Sequence, residues 1–394
     1  MPIITSMLDT DFYKFTMQQA VFKKFPDVEV EYTFKNRTKD VWLSGAIYWD
    51  KINKEIDHMA TLRFTQGELD YLKSLGLFSR GYLEYLRQFR FNPDSIIPTG
   101  NSDGVDFTIA GTWLNTILWE VPLLAIVSEL YSGTCKADPY VTSAKNLYDK
   151  IYSMHLSNTL HFADFGTRRR YSRDWQDTVV KKLASKDPFT GFVGTSNVLF
   201  AKKHNVRPIG TMAHEFIQAM QAMVRLSDSQ KYAFQTWADI YRGDLGIALS
   251  DTLGMDAFFN DFDMYFAKLF DGARHDSGNP DVWCNKLIAH YRAMGIDPMT
   301  KTAVFSDGLT FPEMIRLHKN FSETINVSFG IGTNLTNDCG ITPLQIVIKM
   351  SQCDGKSVAK ISDSPGKQMC NDREYLKYLA SVFNIPKKWI GGEK

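Results

Sequence analysis

Residues 272–280, GARHDSGNP, set Arg274, His275 and Asp276 side by side at the end of a short apolar run, an arrangement able to grip an anion and a metal ion together. Runs of the same kind stand on both sides: HFADFGTRRR (161–170), FVGTSN (192–197), PIGTMAHE (208–215), GIALSD (246–251), AVFSD (303–307) and VSFGIGT (327–333). His214 closes the third of them, next to Glu215. With an ordinary pKa of about 6.5 an imidazole is mostly neutral near pH 7, able to accept a proton or attack phosphorus. A hydrogen-bonded core histidine is the competing reading. Asp251, Asp276 and Asp307 end the fourth, fifth and sixth runs. Carboxylates suit Mg²⁺, a hard ion that prefers oxygen and usually accompanies phosphates. Each aspartate is equally placed to cap the helical stretch that follows it.

Gly330 and Gly332 in FGIGT expose backbone N–H groups after the seventh run, where barrels often hold a phosphate, and Thr333 adds a hydroxyl donor. Arg168, Arg169 and Arg170 follow Asp164-Phe165-Gly166. Guanidinium forks bond carboxylate or phosphate strongly, although three arginines in a row also describe a solvated helix start. Cations at a helix N-terminus oppose its dipole, so an anionic ligand would relieve a local conflict and Arg168 is the first candidate to hold one.

These groups need elements that bring them together. From 160 to 333 the seven apolar runs are separated by amphipathic stretches at 256–270, 280–295 and 311–321, a β-α alternation that reads as a parallel sheet. An open sheet would concentrate polar strand ends at one switch point, whereas nearly every run here ends in one, which favours a barrel. Before residue 140 the pattern changes: VEVEYTFK (28–35) and GVDFTIAG (104–111) alternate as half-buried antiparallel strands do. QIVIKM (345–350), then Asp354-Gly355, then SVAKIS (357–362) predicts a hairpin with a type I′ turn that rejoins the first sheet. The expected class is α/β: an irregular, TIM-like α/β barrel at 140–339 plus an α+β open-sandwich domain built from both ends, 1–139 with 340–394.

Composition narrows the partners. A chain of 394 residues with 44% hydrophobic content has ample core, and its net charge of +1 gives no field that would seek nucleic acid or a membrane surface. Small molecules are the expected ligands. Five widely spaced cysteines without a CxxC pair disfavour a disulfide framework or zinc site, and a cytoplasmic location fits best. The most apolar stretch, TILWEVPLLAIVSEL (116–130), is broken by Glu120 and Pro122, and the first residues lack the pattern of a signal peptide.

Taken together, LDTDFYKFTMQQAVF (8–22), EYTFKNR (31–37), HFADFGTRRR, GFVGTSN (191–197), GTMAHEF (210–216), RHDSGNP (274–280), FSDGL (305–309), FGIGTNL (329–335) and AKISDSPGK (359–367) resemble the bacterial-type nicotinate phosphoribosyltransferases, in the type II phosphoribosyltransferase group. The resemblance covers almost the whole chain. It implies conversion of nicotinate and phosphoribosyl pyrophosphate to nicotinate mononucleotide and pyrophosphate, with ATP as co-substrate, Mg²⁺ as cofactor and NAD salvage as the setting. It further implies that His214 is phosphorylated by ATP, and that Asp251 and Asp276 act near the ribose, the pyrophosphate and its magnesium. Phe165 would stack on the pyridine, with Tyr13 of a partner subunit on its other face, making a homodimer with composite sites. Arg274 would hold the nicotinate carboxylate and Arg168 substrate and phosphate, with Thr195, Ser277, Asp307, Gly330, Gly332 and Thr333 as further substrate contacts. Ser196 stands where nicotinamide-using relatives carry aspartate, which would repel nicotinate, so it argues for the acid. A nicotinamide phosphoribosyltransferase, a quinolinate phosphoribosyltransferase and a catalytically silent barrel that binds pyridine nucleotides are the alternatives. Lys360 and Lys367 are expected near the site without a role derivable from sequence.

Overall fold

A computed structural model describes residues 1–394 except 39, 40, 42, 44, 100–103, 136–138, 155–159, 186–190, 365–367, 369, 387, 388 and 391–394. Lys367 lies outside the described residues. Among the described residues there are twelve strands: β1 (Glu29–Asn36), β2 (Ile96–Pro98), β3 (Phe107–Thr112), β4 (Phe162–Asp164), β5 (Phe192–Thr195), β6 (Arg207–Pro208), β7 (Ile247–Leu249), β8 (Gly272–His275), β9 (Thr302–Phe305), β10 (Asn326–Ile331), β11 (Ile346–Cys353) and β12 (Lys356–Ser357). They form a five-stranded sheet in the order β12-β11-β1-β3-β2 and a seven-stranded sheet in the order β6-β5-β4-β10-β9-β8-β7. In the first, β1 with β3, β2 with β3 and β11 with β12 run antiparallel. In the second, β4 with β5, β5 with β6, β7 with β8, β8 with β9 and β9 with β10 run parallel. Each of the seven apolar runs supplies one strand, and the mixed α/β class with a barrel-type parallel sheet and an antiparallel domain is the one observed.

By compactness the chain divides into one unit of residues 1–210 with 331–348 and another of 211–330 with 349–394. In the first, Val30, Tyr32 and Phe34 of β1 bury one face, as their alternation requires. The stretch Trp113–Ser132 is long and apolar enough to cross a membrane, but 83% of its apolar window is buried inside the protein, which makes it a core helix. In the second, Phe234 meets Phe258, Phe262, Phe266 and Phe270 edge-on at 5.6–6.0 Å. Such pairs add about 0.5–1.5 kcal/mol each beyond their buried area.

Three local expectations need adjustment. The 256–270 stretch makes two short helices, Met255–Asp261 and Met264–Leu269, because Asp263 accepts from the backbone N–H of Tyr265 and Phe266 and starts the second afresh. None of Asp251, Asp276 and Asp307 caps a helix; Gly254, Asn279 and Thr310, three residues further on, do so. PIGTMAHE is strand only at its start. Gly210, with φ +154° and the Tyr13 backbone against it, turns the chain, and His214 opens the helix His214–Met223 instead of closing a strand. The hairpin forms as expected: Gln352 pairs with Ser357 and Cys353 with Lys356, and Asp354 (φ 47°) and Gly355 (φ 68°) take the positive φ that a type I′ turn demands. All five cysteines are free thiols.

Candidate active site

In the second unit, His214 at the start of its helix meets Asp251 and Asp276, which follow β7 and β8. His214 is buried, and its Nε2 lies 2.8 Å from Asp251 Oδ1 and 3.6 Å from Asp276 Oδ2. The other Asp251 oxygen accepts from Ser277 Oγ at 2.6 Å and from the Lys360 ammonium at 2.7 Å. Lys360 reaches it through the period-two alternation of SVAKIS: Ala359 and Ile361 sink into a cluster with Leu226, Leu253, Leu376 and Leu379, which turns Lys360 to the opposite side. Asp276 Oδ1 accepts from Ser306 Oγ at 2.8 Å. Asp363 also joins the group: its backbone N–H donates to Ser277 Oγ at 3.0 Å while its Oδ1 accepts from the Met255 N–H at 2.9 Å.

The electrostatics follow from burial and these partners. Burial lowers the His214 pKa to about 4, Lys360 pushes the same way, and Asp251 opposes them, so the ring is neutral at pH 7. Burial alone would raise Asp251, but Lys360 and His214 outweigh it and hold the carboxyl well below the usual range. For Asp276 burial again acts upward and Arg274 overrides it, bringing the pKa down to about 2. With Nε2–H donated to a carboxylate, the lone pair of His214 sits on Nδ1. One ligand atom from each of His214, Asp251 and Asp276 lies within 4.8 Å of the others, and two ionised carboxylates suit a hard divalent cation. His275, beside the cluster, packs against Trp283 and Phe305 as a core ring. Asp307 bears on it electrostatically. Gly330 is buried in β10.

The first unit brings together a different set. Ser196 Oγ donates to Asp11 Oδ1 at 2.7 Å, and Arg168 stands 3.7 Å from Asp11 Oδ2 and 3.7 Å from Glu120 Oε1. Glu120 in turn pairs with the fully buried Lys14 at 2.5 Å. Tyr13 precedes Lys14 on the helix Phe12–Lys24, its ring 5.6 Å from the Lys14 ammonium. Phe165, half-buried after β4, is held by its N–H to Ile331 O at 2.8 Å. Gly332 lies close to the Phe165 carbonyl, and Thr333 begins a single turn of helix. Thr195 is buried with its hydroxyl donated to Asp164 at 2.7 Å. The three arginines separate by role: Arg168 is 39% exposed, Arg169 binds the Ile346 carbonyl, and Arg170 is fully buried on Asp9 and Glu129.

Asp11, Lys14, Glu120 and Asp9 escaped the reading of the sequence, and Lys360 had no role in it. Two signals were present. The helix Phe12–Lys24 buries Lys14, Thr16, Gln18 and Gln19 as fully as its apolar residues, and Glu120, noted above only as an interruption of an apolar run, is the partner that Lys14 requires.

A parallel α/β sheet whose strand-to-helix connections carry an oriented His–Asp–Asp group, accompanied by an antiparallel sheet, defines an enzyme of the α/β-barrel class. The sequence model of the nicotinate phosphoribosyltransferase (NAPRTase) family matches residues 160–387, and that of the NAPRTase N-terminal domain matches residues 8–128. The chain belongs to the nicotinate phosphoribosyltransferase family. It is 50% identical to the nicotinate phosphoribosyltransferase of Acidovorax sp. (strain JS42) over 98% of this chain and 99% of that one. It is 50% identical to that of Burkholderia ambifaria (strain MC40-6) over 97% of each. Among solved structures, the nicotinate phosphoribosyltransferase from Vibrio cholerae superposes with a TM-score of 0.92 at 39% identity, covering 98% of this chain and 94% of that one.

Proposed function

We propose that this protein joins nicotinate to the ribose of phosphoribosyl pyrophosphate, releasing pyrophosphate, and that ATP drives the reaction by phosphorylating His214. The observation that carries the mechanism is the 2.8 Å contact of His214 Nε2 with Asp251, whose remaining oxygen is taken by Lys360 and Ser277. It leaves a neutral ring with its lone pair on Nδ1. That nitrogen attacks the terminal phosphorus of ATP, the P–O bond to ADP breaks with its electron pair going to ADP, and Asp251 stabilises the cationic ring that results. His214 is the first residue of a ten-residue helix, whose N-terminal dipole favours the phosphoryl charge. Hydrolysis of the phosphohistidine returns the neutral ring. Asp251 and Asp276 would hold Mg²⁺, which supplies charge neutralisation for phosphate oxygens when bound.

In the same reading Phe165, Tyr13 and Ser196 serve the pyridine base, Tyr13 acting across a homodimer, Arg274 holds the carboxylate, Arg168 binds substrate and phosphate, and Thr195, Ser277, Asp307, Gly330, Gly332 and Thr333 are further substrate contacts. Residues 140–339 form the phosphoribosyl-transfer domain and residues 1–139 with 340–394 the α+β open-sandwich domain. A cytoplasmic location accords with the free thiols. One observation keeps nicotinamide as a second reading: Ser196 bonds to a carboxyl group, Asp11, so the residue read as arguing for the acid does not stand alone. The test is to incubate the purified protein with phosphoribosyl pyrophosphate and Mg²⁺, offer nicotinate or nicotinamide with and without ATP, and quantify mononucleotide and pyrophosphate. ATP-stimulated product from nicotinate is expected. Product from nicotinamide alone would move the assignment to the second reading.

A further inference from the structure

Asp11 lies at the turn into the helix Phe12–Lys24, bridged as an antiparallel pair to Asn197, with the Phe12 N–H donating to the Ser196 carbonyl at 2.7 Å. With the Val198 N–H donating to the Thr10 carbonyl at 3.0 Å, the two backbone bonds of this bridge hold the Asp11 carboxyl against the Ser196 hydroxyl, and both residues are almost wholly buried. The charged and polar groups that face Asp11 come from four elements. Arg168 and Thr167 stand on the turn after β4, Ser196 follows β5, Glu120 projects from the core helix, and Asp164 ends β4. Lys14, on Asp11's own helix, neutralises Glu120.

A hydroxyl has one proton to give. With Asp11 ionised, the Ser196 proton is committed to it and the Ser196 oxygen presents only lone pairs, which welcome an amide N–H and repel a carboxylate oxygen. With Asp11 protonated, its O–H donates to the Ser196 oxygen, and the Ser196 proton turns outward to a carboxylate. We propose that Asp11 is a specificity-determining residue that acts through Ser196: the direction of the hydrogen bond between them sets whether the base site favours a pyridine carboxylate or a pyridine carboxamide. The inference rests on the reading of Ser196 as a residue that faces the base. Burial raises the Asp11 pKa above its ordinary value and Glu120 adds to the rise, while Arg168, Ser196 and Thr167 oppose it, so the protonated form is reached at a higher pH than in an exposed aspartate.

The test measures kcat/KM for nicotinate and for nicotinamide with the full-length protein, phosphoribosyl pyrophosphate, Mg²⁺ and ATP, from about pH 5.5 to about 8.5. The ratio of the two is read, because ionisations that affect both substrates equally cancel in it. In the wild type the nicotinate-to-nicotinamide ratio should fall as pH rises. Asp11→Asn, which cannot ionise and offers Ser196 an amide N–H, should raise the ratio roughly tenfold above wild type at the alkaline end and leave it flat with pH. Ser196→Ala should change the ratio and remove its pH dependence. A wild-type ratio that does not vary with pH overturns the proposal, even if Asp11→Asn does not fold. So does an Asp11→Asn profile that matches wild type while Ser196→Ala shifts the ratio. If Ser196→Ala leaves the ratio untouched, the reading of Ser196 as a base contact fails and this inference falls with it.

Discussion

The charged group around Asp11 and the one around His214 are built from the same side-chain types. In the first, Lys14, Glu120, Arg168 and Asp11 alternate in sign, two cations with two carboxylates, and each charge is answered by its neighbour. In the second, Lys360 and Arg274 likewise answer Asp251 and Asp276, but an imidazole is inserted between the carboxylates and burial keeps it uncharged. The difference separates holding from reacting. Alternating full charges fix geometry and present an edge for a ligand, whereas a neutral ring oriented by a carboxylate retains a lone pair for bond formation. Lysine paired with a carboxylate appears in both groups, so a buried ion pair alone says nothing about catalysis; the added group decides.

The sharpest break of this contrast is His214→Ala. It should abolish phosphoenzyme and ATP hydrolysis, a loss on the order of 10³-fold or more in ATP-coupled turnover, while uncoupled synthesis persists. Labelling with γ-phosphate-labelled ATP reads the outcome, and full ATP-stimulated synthesis by the variant would remove the phosphohistidine from the mechanism. Next comes Asp251→Asn, which loses the carboxylate that orients the ring and should slow phosphoenzyme formation by about 10²- to 10⁴-fold. A wild-type rate there would mean that the His214–Asp251 contact is structural only.

In the first group the expected currency is stability. Lys14→Met removes the buried ammonium that Glu120 pairs with, and should cost about 3–5 kcal/mol in chemical unfolding while phosphoenzyme still forms. An unchanged unfolding curve would contradict the alternating-charge account. Asp164 sharpens the same point through pH. Burial raises its pKa from 3.8 to about 6, against the donors Thr195, Gln176 and Gly166, so the folded protein holds this proton more tightly than the unfolded chain does. Its contribution to stability is therefore full below the ordinary value and falls as pH rises through about 6, at up to about 1.4 kcal/mol per pH unit. Asp164→Asn removes that slope, and the stability gap between variant and wild type should narrow across the window; a gap constant with pH would refute it. The smallest effect is expected from Gly355→Ala at the hairpin turn, where φ is 68° and no atom lies within 4 Å of the added methyl. Only backbone strain remains, about 1 kcal/mol, with both charged groups untouched.

Much of this was legible in the chain. Strand runs, the antiparallel pair at 28–35 and 104–111 and the hairpin at Asp354-Gly355 are local patterns, and the apolar alternation that defines them also drives their burial. The residues of the His214 group were visible because each ends or follows one of those runs. What misled was the assumption that the polar end of a run is still strand: Pro208 and Gly210 end β6 early, and His214 acquires a helix N-terminus in place of a strand end. Arg170 was hidden among its neighbours, since three adjacent arginines share one pattern and only packing separates an exposed one from one buried on Asp9 and Glu129.

The sequence by itself determined the elements, their order and the family, because those depend on residue types at short separation. Tertiary structure alone decided the partners. Ser196 meets Asp11 across 185 positions of chain, Lys360 finds Asp251, and Glu120 turns from an interruption in an apolar run into the counter-charge of a buried lysine. Each is a contact between charges or dipoles whose strength depends on distance and on the exclusion of water, and neither quantity exists until the fold has closed around them.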